Sequence, residues 1–352
     1  MFYRNINVPV FVELRSNVIE NLVEIFSKQN LLFENIVVFT GNFGERYLKE
    51  KNLKSQFRKF KLYNLKKSGS NIEISSLRTE VVDQMPDLIL SFGGGSINDI
   101  GKYISLQTGI PSIFVPTVIS NDGILSPISI IREDDGYRSL GASPPIGVIG
   151  DIDILRESPI LYTLSGVGDL LSDISAVIDW DLSSNIGIEK IDFIARNVAW
   201  DASISFLWSF ENSKCDIIKD DDFLGDLFWG LILSGLAIIV AKSSRPASGS
   251  EHNISHALDK ILGKNRKPHG LQVGFATLLS LKLQGRDDIL KRLKGFYEKI
   301  GFPTKFTELG IEKDTFVEAV KLAPKIRDRY TILNEVSEEK VIKAIDEVYE
   351  HT

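Results

Sequence analysis

The stretch DLILSFGGGSINDIGKYIS, residues 87–105, decides the fold. Leu88, Ile89, Leu90 and Phe92 make a short apolar run, of strand rather than helix length. Gly93-Gly94-Gly95-Ser96 follows, and a helical pattern starts just after it. A glycine-rich turn from strand to helix lets backbone N–H groups approach an anion, and the helix N-terminus adds the positive end of its dipole. Gly93, Gly94, Gly95 and Ser96 are therefore candidates for holding a nucleotide pyrophosphate. Asp99 and Lys102 lie in the helix beyond, where Lys102 reads equally as a phosphate ligand or as a solvated surface lysine. The G-x-G-x-x-G fingerprint with an acid about twenty residues on is absent. A tight turn with no ligand is the competing reading.

Working outward, NIVVFT (35–40), FKLYNL (60–65), SIFVP (112–116), SPISII (126–131) and GVIG (147–150) are further strand candidates. Amphipathic stretches such as FVELRSNVIENLVEIFSKQ (11–29) read as helices between them. Strand and helix in alternation predict a parallel sheet covered on both faces. After about residue 155 the strand signals stop. GDLLSDISAVIDWDL, IDFIARNVAWDASISFLWSF and FLGDLFWGLILSGLAIIVAKS carry helical periodicity or are apolar all round. A chain of 352 residues is long for one core, so two domains are expected: an α/β domain over 1–154 and an all-helical domain over 155–352.

The bulk properties narrow the function. The net charge of −6 gives no electrostatic case for nucleic acid. The single cysteine, Cys215, excludes an internal disulfide and fits a reducing, cytoplasmic compartment. No signal peptide is read at the N-terminus. The most apolar run, Leu227 to Ala241, is too short to span a bilayer and reads as a buried core helix, so no membrane insertion is expected. The basic stretch LKEKNLKSQFRKFKLYNLKK (48–67) reads as a solvated helix face and a lysine-protected edge strand rather than as an anion patch.

Chemistry concentrates in three places. The loop VPTVISNDGILSPISII (115–131) gathers Thr117, Ser120, Asn121, Asp122 and Ser126. It follows a strand, and in such sheets ligands bind at the strands' carboxyl ends; an Asx turn is the plainer use of Asp122. The stretch SGSEHNISHALDKILGKNRKPHG (248–270) holds three of the chain's four histidines: His252, His256 and His269. His252 and His256 share one helix face, and a turn brings His269 back toward them. Imidazoles so placed suit a divalent transition metal, and without paired cysteines a catalytic site with an open position fits better than a structural one. A third ligand, a carboxylate, is then required. SGVGDLLSDISAVIDW offers Asp169 and Asp173, and spacing does not choose between them.

GGGSINDIGK, PTVISNDGILSP, GDLLSDISAVIDWDL, SRPASGSEHNISHALD and KPHGLQVGFATLL, in this order, resemble the iron- or zinc-dependent superfamily of glycerol dehydrogenase, dehydroquinate synthase and iron-type alcohol dehydrogenases. VVFTG, SNDG, AVIDW and above all SRPASGSEH are most similar to its sn-glycerol-1-phosphate dehydrogenase branch. The likeness spans roughly residues 10 to 285. It implies a Rossmann-like N-terminal domain, a helical C-terminal domain and an active site in the cleft between them. It implies Asp169, His252 and His269 as ligands of Zn²⁺ or Fe²⁺, with Asp122 and His256 on the substrate side. It places a pyrophosphate over Gly93 to Ser96 and Asp99, with Thr117, Ser120 and Ser126 near the nicotinamide. The implied activity is reduction of dihydroxyacetone phosphate to sn-glycerol 1-phosphate by a homo-oligomer. Glycerol dehydrogenase, acting on the free triose, and a dehydroquinate synthase-type lyase are the alternatives. Thr40-Gly41 puts no acid after the first of these strands to bind a ribose 2′-hydroxyl, so NAD(H) or NADP(H) is accepted. Arg245, Lys260, Lys264, Arg266 and Lys267 are the cations offered for a phosphate.

Overall fold

The computed structural model describes residues 6, 8–65, 71–133, 136–213 and 217–350. Cys215 and the end of the basic stretch, residues 66 and 67, lie outside them. The chain divides into two units: Met1–Ile119 with Gly123–Pro159, and Ser120–Asp122 with Ile160–Thr352.

The first unit holds strands β1 (Phe11–Arg15), β2 (Asn35–Thr40), β3 (Lys59–Asn64), β4 (Leu88–Gly93), β5 (Ser112–Pro116), β6 (Ile128–Glu133), β7 (Gly136–Gly141) and β8 (Gly147–Asp151). Six of them form one parallel sheet in the order β1-β8-β5-β4-β2-β3. Alternate residues feed opposite faces, as the two-residue period requires. Ile36, Val38, Leu90 and Phe92 pack with Leu22, Phe26 and Leu48, while Val37, Phe39 and Ile89 pack with Ile97, Ile100 and Ile104. The helices after β2 and β4, Asn42–Glu50 and Gly95–Thr108, thus cover opposite faces. The sheet therefore has its topological switch between β2 and β4, the usual ligand-binding place in open α/β sheets.

Three expectations change. Residues 11–29 are not one helix: Phe11–Arg15 is edge strand β1, paired with β8, and the helix is only Leu22–Lys28. Partnering with a strand more than 130 residues away overrides the local helical pattern. The SPISII strand does not join the parallel sheet; β6 pairs antiparallel with β7, which had given no strand signal. The helix Asp221–Ala241 has 21 residues, six more than its apolar run, and like Ile160–Asn185 it is long and apolar enough to cross a membrane. Most of each is buried inside the protein, as in a core helix. The basic stretch behaves as expected: β3 is an edge strand, and Lys49, Lys51 and Arg58 pair with Glu45, Glu20 and Glu34.

Described elements of the second unit are helical. Its core is built on Ile160–Asn185, Phe193–Phe210, Asp221–Ala241, Ser250–Leu262 and His269–Leu283. Ile160–Asn185 and His269–Leu283 cross at glycines. A methyl group on Gly168 would stand 2.1 Å from the Gly270 carbonyl oxygen, and one on Gly270 would stand 1.8 Å from that of Ser165. Only glycine permits backbones this close. The crossing brings Asp169, next to Gly168, beside His269, next to Gly270.

Candidate functional site

In the first unit β4 ends at Gly93, and Gly94 caps the helix in extended conformation (φ −85°, ψ −177°). A Cβ on Gly93 would strike Ile97 at 2.8 Å, so this glycine is needed for helix-on-strand packing. A Cβ on Gly95 would meet nothing within 4 Å. Open space thus lies over the first N–H groups of the helix, which have no intrahelical acceptor. The turn fits a phosphate on both counts. The neighbouring loop starts alongside it: Gly93 stands in register with Pro116, and the Thr117 N–H donates to the Gly93 carbonyl at 2.9 Å.

Lys102 is neither a surface lysine nor free for phosphate. It is fully buried. Its ammonium donates to the carbonyls of Gly123 (3.0 Å), Ser126 (3.2 Å) and Ile128 (2.5 Å) and pairs with Asp99 Oδ1 at 3.1 Å. Asn98 Nδ2 adds a bond to Gly123 O at 2.9 Å. A buried ammonium is tolerable only when its donors are filled, and here they are filled by the loop that carries Asp122 and Ser126. Asp99 serves this clamp: burial raises its carboxyl pKa, and Lys102 pulls it back. Ser126, within the same loop, is buried.

In the second unit, donor atoms of Asp169, His252 and His269 lie within 4.8 Å of one another. His269 Nε2 is 3.7 Å from Asp169 Oδ1, and the His252 and His269 rings have centroids 5.0 Å apart. Each candidate donor is held from behind. His252 Nδ1 bonds Glu251 Oε1 at 3.0 Å, and His269 Nδ1 bonds Ser255 Oγ at 3.2 Å. Both bonds leave Nε2 as the outward donor, the arrangement that orients metal-bound imidazoles. Asp169 Oδ2 accepts the Asp122 N–H at 2.8 Å, leaving Oδ1 toward His269. Asp173, one turn on, is buried beside Ser234 and Asp122 and falls outside the donor trio.

The electrostatics call for a cation. Burial, then the charge of Asp122, holds the Asp169 carboxyl well above its ordinary range. Burial, then His252 and His256, pushes His269 well below its own. A neutral imidazole facing a buried carboxyl becomes favourable once a divalent ion sits between them. Two imidazoles and one carboxylate also leave a position open, as catalytic zinc sites do. The donor set fits a metal.

His256 sits beside the trio, its ring centroid 6.4 Å from that of His252 and 6.0 Å from that of His269. Burial, then Arg327, His252 and Arg329, lowers its pKa to about 3. Asp122 opens a short 3-10 turn (Asp122–Ile124), and its Oδ2 accepts from Ser234 Oγ at 3.4 Å. The Ser120 carbonyl accepts from Ser165 Oγ (3.0 Å), and that oxygen in turn accepts from the Gly270 N–H (3.1 Å), so one hydroxyl ties the Asp122 stretch to the start of the His269 helix.

Sequence reasoning missed Glu251. Burial alone would raise its pKa, but His252, Ser175 and the Gly249 N–H outweigh burial and hold it low. An acid next to a ligand histidine was the available signal. Arg245 is also reassigned: it is buried, and its Nη2 bonds Glu189 (2.5 Å), Asp179 O and Tyr330 O.

A family profile described as iron-containing alcohol dehydrogenase matches residues 13–159. Glycerol-1-phosphate dehydrogenase [NAD(P)+] of Pyrococcus abyssi is 34% identical over 92% of this chain and 92% of its own. The enzyme of the same name from Archaeoglobus fulgidus is 33% identical over 97% and 96%. Among solved structures, glycerol dehydrogenase from Schizosaccharomyces pombe superposes with a TM-score of 0.77 at 22% identity, over 98% of this chain and 90% of its own. Sulfoacetaldehyde reductase from Bifidobacterium kashiwanohense, solved in complex with NAD+, gives 0.72 at 14% identity over the whole of both chains; these two likenesses concern the fold alone. The chain belongs to the iron-containing alcohol dehydrogenase family and, within it, to the glycerol-1-phosphate dehydrogenases. It is an oxidoreductase.

Proposed function

We propose that this protein reduces dihydroxyacetone phosphate to sn-glycerol 1-phosphate, using NADH or NADPH and a divalent ion held by Asp169, His252 and His269. The observation that carries the substrate is the 34% identity to a glycerol-1-phosphate dehydrogenase over more than nine tenths of both chains. The convergence of the three donors supports the ion. In this reading residues 1–154 bind the nucleotide, through Gly93, Gly94, Gly95 and Ser96, with Thr117, Ser120 and Ser126 toward the nicotinamide. Residues 155–352 bind metal and triose. Zinc is the ion assigned, with iron(II) compatible with the same donors.

When bound, the ion polarises the substrate carbonyl as a Lewis acid and the nicotinamide supplies the hydride. The chain's own residues do the rest. The Glu251 carboxylate keeps the His252 proton on Nδ1, and Ser255 holds the His269 ring through Nδ1. Asp122, held by its N–H on Asp169 and its carboxylate on Ser234, orients the triose. His256, neutral at working pH, hands on the proton the product hydroxyl needs. The protein is read as cytoplasmic and as a homo-oligomer.

The test compares the two trioses. Purified protein with zinc is expected to reduce dihydroxyacetone phosphate with far higher kcat/KM than dihydroxyacetone, with either nicotinamide. A preference for the free ketone makes the protein a glycerol dehydrogenase, and triose-independent chemistry with no net change in nicotinamide absorbance makes it a lyase.

A further inference from the structure

A phosphorylated triose needs a cation beside the metal, and the cations offered by the sequence are buried in other contacts, exposed, or set against other backbone. Arg245 is buried, with Nη2 on Glu189 and two carbonyls. Lys260 and Lys264 are exposed, and exposed Arg266 faces Asp259 at 3.7 Å. The Lys267 ammonium lies against Gly310, 3.0 Å from where a Cβ there would stand.

The C-terminal region, which gave only a helical signal in the sequence, supplies another. Residues 323–332 are stitched to the backbone leading into the histidine helix. The Ala323–Lys325 turn packs on Ser250–Leu262. Arg329 donates to Ser248 O and to Ser244 Oγ (2.9 Å), Arg245 donates to Tyr330 O (2.8 Å), and the Ile332 N–H donates to Asp179 Oδ1 (2.9 Å). Three arginines thus lie in or against this stitched segment, and two of them bond protein acceptors. The third, Arg327, is half-buried, and among the described residues its guanidinium has no hydrogen-bond or ion-pair partner. The chain on either side of it is fixed to the histidine segment, the Ala323–Lys325 turn on the helix Ser250–Leu262 and Arg329 on Ser244 and Ser248. A half-buried guanidinium without a counter-ion is costly to keep, and a planar fork of donors is the group that suits phosphate.

We infer that Arg327 binds the phosphate of the triose and sets the preference for phosphorylated over free ketone. This rests on the function proposed above. The experiment measures kcat and KM on dihydroxyacetone phosphate and on dihydroxyacetone for wild type, Arg327→Gln and Arg327→Lys, with zinc content, and titrates sn-glycerol 1-phosphate calorimetrically. Arg327→Gln is expected to raise KM for the phosphorylated ketone about 10- to 100-fold, the loss of one charge-assisted contact, and to weaken glycerol 1-phosphate binding alike. Zinc content and the thermal unfolding midpoint stay at wild-type values, which shows that the variant folds and keeps its metal, while kcat/KM on dihydroxyacetone falls by much less than on the phosphorylated ketone. Arg327→Lys recovers part of the loss. If wild type prefers the phosphorylated ketone and Arg327→Gln keeps that preference, the inference fails and the function stands. If wild type has no such preference, the function fails and the inference with it.

Discussion

His252→Ala is expected to release the metal and to lower turnover by about a thousandfold or more, since Lewis-acid stabilisation is worth several kcal/mol and each 1.4 kcal/mol is a factor of ten. The loss follows from the geometry. With three donors within 4.8 Å of one another, removal of one leaves a carboxylate and a single imidazole. It also strands Glu251, which is fully buried and held ionised partly by its bond to His252. Elemental analysis of the purified variant reads the metal directly. Retention of about one ion per chain at wild-type affinity would assign the ligand role elsewhere.

His256→Ala is expected to cut turnover by about 10²–10⁴, the usual worth of a positioned proton-transfer group, while the metal stays bound. Its ring stands next to the imidazoles of His252 and His269 but outside the donor cluster. Its pKa of about 3, set first by burial and then by Arg327, keeps it neutral at any working pH. It therefore acts as a neutral donor and acceptor, and the pH profile of the wild type should show no acidic limb from its protonation down to about pH 4. The lowered value also links to stability. The unfolded chain takes up this proton below about 6.5, so the contribution of His256 is present above that pH and is lost as pH falls toward 3. If His256→Ala lost the metal and His252→Ala kept it, the two roles would be exchanged.

Much of this was legible because the relevant signals are local. β5 matched a run of β-branched and aromatic residues between turn formers, and the glycine turn announced itself by composition. The two histidines four apart shared a face by helical period alone, and they do lie together. What was not legible depended on distant partners. Phe11–Arg15 reads as the start of an amphipathic helix until β8 is available to pair with it. Nothing near Lys102 says that four oxygen acceptors will surround it, because three are backbone carbonyls more than twenty residues away. The choice of Asp169 over Asp173 is made by the glycine crossing, which sets Asp169 against His269 and leaves Asp173 against Ser234. Arg327 lies in a stretch of ordinary composition, and its surroundings come from the backbone of residues 244–248.

The most direct test of the account is anomalous scattering at the zinc and iron absorption edges from crystals of the wild-type protein. The account predicts one strong peak per chain at bonding distance, about 2.0–2.2 Å, from Asp169 Oδ1, His252 Nε2 and His269 Nε2. A peak bound by other side chains, or these three side chains well ordered with no ion among them in metal-supplemented crystals, would contradict it.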